Sequence, residues 1–263
     1  MNETIQQLKE RKSVRVFEEK EINLNIKNEI IKSAFEAPTA GNMMFYSILD
    51  ITDQEIKSRL AITCDNQPFI AKAPLVLIFL ADYQRWYEAF VLNDCNPRKP
   101  GEGDILLACA DAIIAAQNTV VAAESLGVGS CYIGDILENH EEVRELLDLP
   151  DFVIPAAMLV YGYPTEQQKN RKKPKRFEKE YIVFENKYRR LTKEEHTKMY
   201  NTKNEKTRTN QDAVEGIKEL CNRKYMSDFS LEMNRSASEY LKKFREWNYT
   251  GWVDSHSSFN IFA

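Results

Sequence analysis

The chain has 263 residues, 43% hydrophobic and 29% charged, with a formal net charge of -4. That length suits one large domain or a core domain with an extension, and the acidic balance excludes the global basic field of a general nucleic-acid binder. Met1 to Glu10 has no apolar stretch or small-residue cleavage site of a secretory signal, and the five scattered cysteines form no C-x-x-C pair, so reduced thiols and a cytoplasmic location are expected.

A short amphipathic helix is expected over Thr4 to Glu10, then an extended basic segment from Arg11 to Phe17. Ile26, Ile30, Ala34 and Phe35 give one apolar face to a helix over Asn25 to Ala37, which Pro38 stops. Tyr46 to Ile51 reads as a strand, Gln54 to Thr63 as a helix, and the wholly apolar Leu75 to Leu80 as a central buried strand. Asp104 is placed to cap a long helix running to about Leu126. Its apolar run, Ile105 to Ala123, is interrupted by Asp111, Gln117, Asn118 and Thr119 and so reads as a buried helix, not a membrane span. Its alanines permit close helix approach, which suits a core or a subunit interface.

Gly127 and Gly129 release the chain into a strand through Tyr132 and Ile133, followed by a helix over Glu141 to Leu147 and a strand over Ala156 to Tyr161. Beyond Pro164 the composition turns basic, with Lys169, Arg171, Lys172, Lys173, Lys175 and Arg176 around Pro174. Past Leu191 the chain is strongly polar, with helices over Asp212 to Lys224 and Leu231 to Trp247 and a tail holding Phe259, Ile261 and Phe262. Neither helix carries enough apolar surface for a core of its own, so both are expected to pack on the main body or on a second subunit.

Three places carry candidate chemistry. Arg11, Ser13 and Arg15 alternate, so an extended backbone puts two guanidinium groups and a hydroxyl on one side, where they can converge on one phosphate. A solvated basic turn is the plain alternative. The small turn Pro38, Thr39, Ala40, Gly41, Asn42 can meet a flat heterocycle with backbone and amide groups or simply join helix to strand, and Gln67 is ambiguous in the same way. Gly134 and Asp135 end a buried strand, where N–H groups can point at a ring nitrogen and carbonyl or merely make the turn. The glycines from Gly127 to Gly134 follow a helix and lack dinucleotide-fingerprint spacing, which excludes a Rossmann site. His140, His196 and His256 stand at no metal-ligand spacing, so neither a zinc site nor a catalytic triad is expected.

Taken in order, the RKSVRVF start, the APTAGN loop, NQPFIAKAPLVLIFLAD, the CYIGD strand and the KKPKRF loop after YGYP resemble the FMN-dependent nitroreductase family over roughly residues 5 to 190. The C-terminal RKYMSDFSLEMNRS stretch is similar to the larger flavin-reductase branch of that family, whose last helices reach over the partner subunit. The resemblance implies an α+β nitroreductase-like fold, with a central, mostly antiparallel sheet flanked by helices. It also implies an FMN-binding domain over residues 1–190 and a helical extension over 191–263. A homodimer is expected, with FMN at each of two interface sites, and no metal, membrane or nucleic-acid partner.

Carried over by residue, Arg11 and Ser13 grip the phosphate, with Lys12 in the place usually held by Arg or His. Lys173, Lys175 and Arg176 close on the phosphate from the basic loop, leaving open which of them meets it. Arg15 lies at the pyrimidine edge. Pro38, Thr39, Ala40, Asn42 and Gln67 approach flavin or ribityl atoms, and the strand end Tyr132, Ile133, Gly134 and Asp135 offers backbone groups near flavin N5. The implied reaction passes hydride from NADH or NADPH through N5 to a nitroaromatic, quinone or flavin acceptor in ping-pong order, with Arg15 stabilising the charge and no side-chain acid or base. Phe45, Tyr46, Trp86 and Tyr87 are lining candidates or core residues. Arg223 and Lys224 favour a 2′-phosphorylated nicotinamide or are simply solvated. Alternative outcomes are a flavin-dependent dehalogenase or flavin-fragmenting enzyme, and a non-enzymatic FMN-binding protein.

Overall fold

A computed structural model of the chain describes residues 2–203 and 209–246. In chain order the elements are α1 (Glu3–Glu10), α2 (Leu24–Ser33), β1 (Tyr46–Asp50), α3 (Gln54–Thr63), β2 (Leu75–Asp82), α4 (Gln84–Leu92) and α5 (Glu102–Ser125). They continue with β3 (Gly129–Ile133), α6 (His140–Leu146), β4 (Val153–Gly162), α7 (Glu166–Asn170), α8 (Lys193–Lys203), α9 (Asn210–Leu220) and α10 (Asp228–Arg245). The expected helix end at Trp247 and the tail with Phe259, Ile261 and Phe262 lie outside the described residues.

The strands form one antiparallel sheet in the order β1-β2-β4-β3. β2 is central and buried along its whole length, as its apolar run requires. Side-chain alternation sends Val76, Ile78 and Leu80 into one core and Leu75, Leu77 and Phe79 into the other. β4 divides the same way, with Met158 and Val160 facing one layer and Leu159 and Tyr161 facing the other. The first layer is filled by Leu60, Ile105, Ala108, Ile136, Tyr240 and Phe244. The second is filled by Ile30 and by Ala112, Ala115, Ala116, Val120 and Ala123 of α5. The alanines let α5 lie close against the strands, and the buried Thr119 and Tyr161 hydroxyls satisfy each other at 2.6 Å.

Several boundaries differ from expectation for identifiable reasons. α5 starts before Asp104: Gly101 is its N-cap, and the Asp104 carboxylate accepts the Gly101 N–H at 2.7 Å and a fork of bonds from Arg98. β4 begins at Val153 despite Pro155, because a register shift opposite Phe79 and Leu80 accommodates the residue that has no N–H. α2 tightens into a 3-10 turn at Ala34–Glu36 before Pro38. α7 and α8 carry no regular apolar stripe, α4 has one in Trp86, Tyr87, Phe90 and Val91, and none of the three was among the expected helices.

Of the described residues, those through Asn170 and from Met233 onward form one compact unit, and Arg171–Glu232 forms a second. In the second unit α8 and α9 pack so closely that a Cβ on Gly216 would fall 2.5 Å from the Tyr200 hydroxyl oxygen. In the first, the α10 residues Ser236, Tyr240 and Phe244 are buried.

Candidate cofactor site

The basic segment is strapped onto the sheet. α1 stops at Arg11, whose N–H bonds the Gln7 carbonyl at 2.8 Å, and the chain then runs extended to a parallel bridge between Ser13 and Ser130. Close approach there needs glycine, because a Cβ on Gly129 would stand 2.6 Å from Val14 Cγ2. Phe17 crosses Gly162 in the same manner, where a Cβ would meet the ring at 2.5 Å.

Alternation along this strap sorts the cations. Lys12 donates to the Lys169 carbonyl at 2.5 Å and, with Val14, lines a cavity of about 290 Å³. Arg15 instead lines a cavity of about 1070 Å³ with Phe69, Lys57 and Lys72, its guanidinium 5.9 Å from the Phe69 ring centroid. Lys12 and Arg15 therefore serve different surfaces. Arg11 Nη1 is buried with no hydrogen-bond partner. A guanidinium nitrogen in that state is costly without an acceptor, so the position asks for an anion.

The Pro38–Asn42 turn is fixed from α5. Asp111, 3% exposed, accepts from the Thr39 hydroxyl, from Ala40 N at 3.2 Å and from Phe45 N at 3.2 Å. The Thr39 oxygen in turn accepts the Met44 N–H at 2.8 Å. Gly41, Asn42 and Met44 all have left-handed φ, a strained run for the two side-chain-bearing residues. Arg85 holds the Met44 and Tyr46 carbonyls, and Trp86 Nε1 bonds the Met43 carbonyl at 2.7 Å. Trp86 is thus a pin on this turn, while Phe45 stacks on Tyr83, Tyr46 bonds the Ala34 carbonyl, and Tyr87 meets Phe152 edge-on. Phe45 and Tyr46 are buried core residues, which removes them as lining.

Gln67 and Asp135, distant in sequence, meet directly. Gln67 Nε2 donates to Asp135 Oδ2 and to the Cys64 carbonyl, both at 2.8 Å, so both amide hydrogens are used and only Oε1 is left to accept. Cys64 is wholly buried and burial pushes its thiol up to about 12, which makes it inert. Tyr132 is likewise pushed up to about 12 by burial, partly opposed by the charge of Arg11, which places that cation near the strand end. The Ile133 side chain is in the core, so only its backbone can serve a ligand. Gly134 opens a 3-10 turn, Gly134–Leu137, whose first N–H groups have no acceptor within the turn, and the space where its Cβ would stand is open to 4 Å.

Lys173, Lys175 and Arg176 belong to the second unit, as do Arg223 and Lys224 in a π turn at Cys221–Tyr225. Among the described residues no cluster of three His, Cys, Asp or Glu could hold a metal. The residue that sequence reading missed is Asp111. Its signal was a carboxylate in the middle of the apolar run Ile105 to Ala116 of α5, which burial tolerates only when several donors surround it.

A family model for the nitroreductase family matches residues 8–163. The CR(VI) reductase of Pseudomonas sp. (strain G-1) is 32% identical over 228 residues, covering 87% of this chain and 92% of that enzyme. The FMN reductase (NADPH) of Bacillus subtilis is 33% identical over 190 residues, 72% of this chain and 75% of the enzyme. Among solved structures, B. megaterium NfrA2 superposes with a TM-score of 0.79 at 29% identity, covering 94% of this chain and all 100% of the other. The strap, the Asp111-held turn and the Gly134 turn all lie within the matched residues, and the chain belongs to the nitroreductase family.

Proposed function

We propose that the protein is an FMN-dependent oxidoreductase that takes hydride from NADH or NADPH and passes it to a small acceptor. The observation that carries this reading is the partnerless buried Arg11 Nη1 at the start of the strap, a cation placed for a phosphate. Arg11 and Ser13 would hold that phosphate, Arg15 the pyrimidine edge, and Gln67 Oε1 a flavin or ribityl donor. The N–H groups of Gly134 and Asp135 would lie against the ring, and the Pro38–Asn42 turn would present Thr39, Ala40 and Asn42 as a fixed surface. Lys12, bonded to Lys169, would contribute charge and not contact. Lys173, Lys175 and Arg176 are assigned to the phosphate by family resemblance alone.

FMN supplies the two-electron chemistry, and the chain binds, orients and excludes water. No side chain is asked to move a proton, in keeping with the inert Cys64. Pairing of two protomers is supported by α5, whose Leu106, Leu107, Ile113 and Ile114 are 70%, 44%, 47% and 40% exposed on a helix that otherwise packs in the core. The acceptor class is a nitroaromatic, quinone or flavin, and five cysteines of which none is in a disulfide suit the reducing cytoplasm. The test is to load the protein with FMN, desalt it, and titrate with each nicotinamide without oxygen. Bleaching of the flavin band near roughly 450 nm is expected; a colourless desalted protein refutes the reading.

A further inference from the structure

The turn Gly134–Leu137 is held from the C-terminal helix by one hydroxyl. Ser236 of α10, fully buried, donates to the Leu137 carbonyl at 2.5 Å and accepts the His140 N–H at 2.8 Å. His140 is the first residue of α6, and its N-cap Asn139 has left-handed φ with its side chain spent on the Thr63 carbonyl at 2.8 Å. Asn139 makes no side-chain cap bond to α6, and α10 provides an acceptor for the helix end. The same hydroxyl fixes the last peptide of the turn, which the Glu138 N–H to Asp135 carbonyl bond closes at 3.0 Å. Outside it, Arg235 forks onto Glu141 at 2.8 and 2.9 Å, and Tyr240 packs edge-on against His140.

We propose that Ser236 is a positioning residue that sets the N–H groups of Gly134 and Asp135 against the flavin ring from a helix nearly one hundred residues downstream. The inference rests on the FMN reading above. Three ties then define the turn: Ile136 in the core, the Asp135 carboxylate on Gln67, and the Leu137 carbonyl on Ser236. Of these three, the last is a bond from another element to the turn's own backbone, added to the turn's internal Glu138 N–H to Asp135 carbonyl bond, so its removal leaves the turn in place and frees its peptide planes to tilt.

The experiment compares wild type, Ser236→Ala and Ser236→Cys, each bound to FMN enriched with ¹⁵N at N5. Cysteine keeps the volume but is a weak donor and acceptor, so it reads the same quantity if the alanine protein does not fold. We expect the N5 resonance of both variants to move toward its value in aprotic solvent and FMN to bind about tenfold more weakly in the alanine variant. A lowered urea midpoint with unchanged N5 resonance and FMN affinity would make Ser236 merely structural and overturn the proposal. Failure of the wild type to bind FMN would instead sink the underlying function.

Discussion

The sharpest quantitative consequence concerns Asp111. Its buried carboxylate receives the Thr39 hydroxyl and the Ala40 and Phe45 N–H groups. Asn keeps the volume but replaces one accepting oxygen with an NH₂ that must face a donor. A hydrogen bond to a charged group contributes about 1.5–3 kcal/mol, and a buried donor left without an acceptor costs about 1–3 kcal/mol. Relief of the buried charge offsets part of this, so Asp111→Asn should destabilise the apoprotein by about 2–4 kcal/mol. For a chain of this size that lowers Tm by about 4–16 °C. FMN affinity should fall with it, because the left-handed run at Gly41, Asn42 and Met44 loses its anchor. Urea titration of the apoprotein gives the first quantity and flavin fluorescence titration the second. A cycle with Thr39→Val should show coupling of about 1–2 kcal/mol. A loss under about 0.5 kcal/mol, or strict additivity in the cycle, would show that the carboxylate does not hold the turn.

Arg11→Ala should weaken FMN binding by about ten- to a hundredfold, the worth of one charge-assisted bond, whereas Lys12→Ala, whose ammonium bonds the Lys169 carbonyl, should change it by less than about threefold. Equal effects in fluorescence titration would contradict the sorting of the two cations. Gly129→Ala forces a methyl against Val14 and should cost about 1–3 kcal/mol, while Gly134→Ala, with open space at its Cβ, should leave the fold's stability intact and impair FMN binding alone. The Arg235 fork holds Glu141 down from 4.5 to about 2, so the pair's stabilisation is full above about pH 4.5 and is lost as pH falls toward 2. Both partners are exposed, so the contribution is about 0.2–1 kcal/mol. The Tm difference between wild type and Glu141→Gln should be present at pH 6 and vanish near pH 2; a constant difference would rule the pair out as its source.

Legibility followed the range of the interactions. The strap was readable because alternation of Arg11, Ser13 and Arg15 is a property of extended backbone, and the structure puts Lys12 and Arg15 on separate cavities as period two demands. The Pro38–Asn42 turn was readable as a turn, but its rigidity was not, since its post Asp111 is about seventy residues away in sequence. Gln67 was ambiguous until Asp135 and the Cys64 carbonyl fixed which end of its amide faces outward. The aromatics were undecided between lining and core for the same reason: burial of Phe45 and Tyr46 depends on Tyr83 and Ala34.

The sequence by itself determined the two-layered sheet, because β2 is apolar at every position and only a strand covered on both faces can use such a run. It also determined the long alanine-rich helix and the order of the basic strap, the Pro38–Asn42 turn and the strand ending at Ile133, all set by local periodicity and turn chemistry. Tertiary structure alone decided which polar groups find partners. The Asp111 and Ser236 contacts join segments that share no local pattern, and a hydrogen bond three ångströms long is specified only after the packing around it has been fixed.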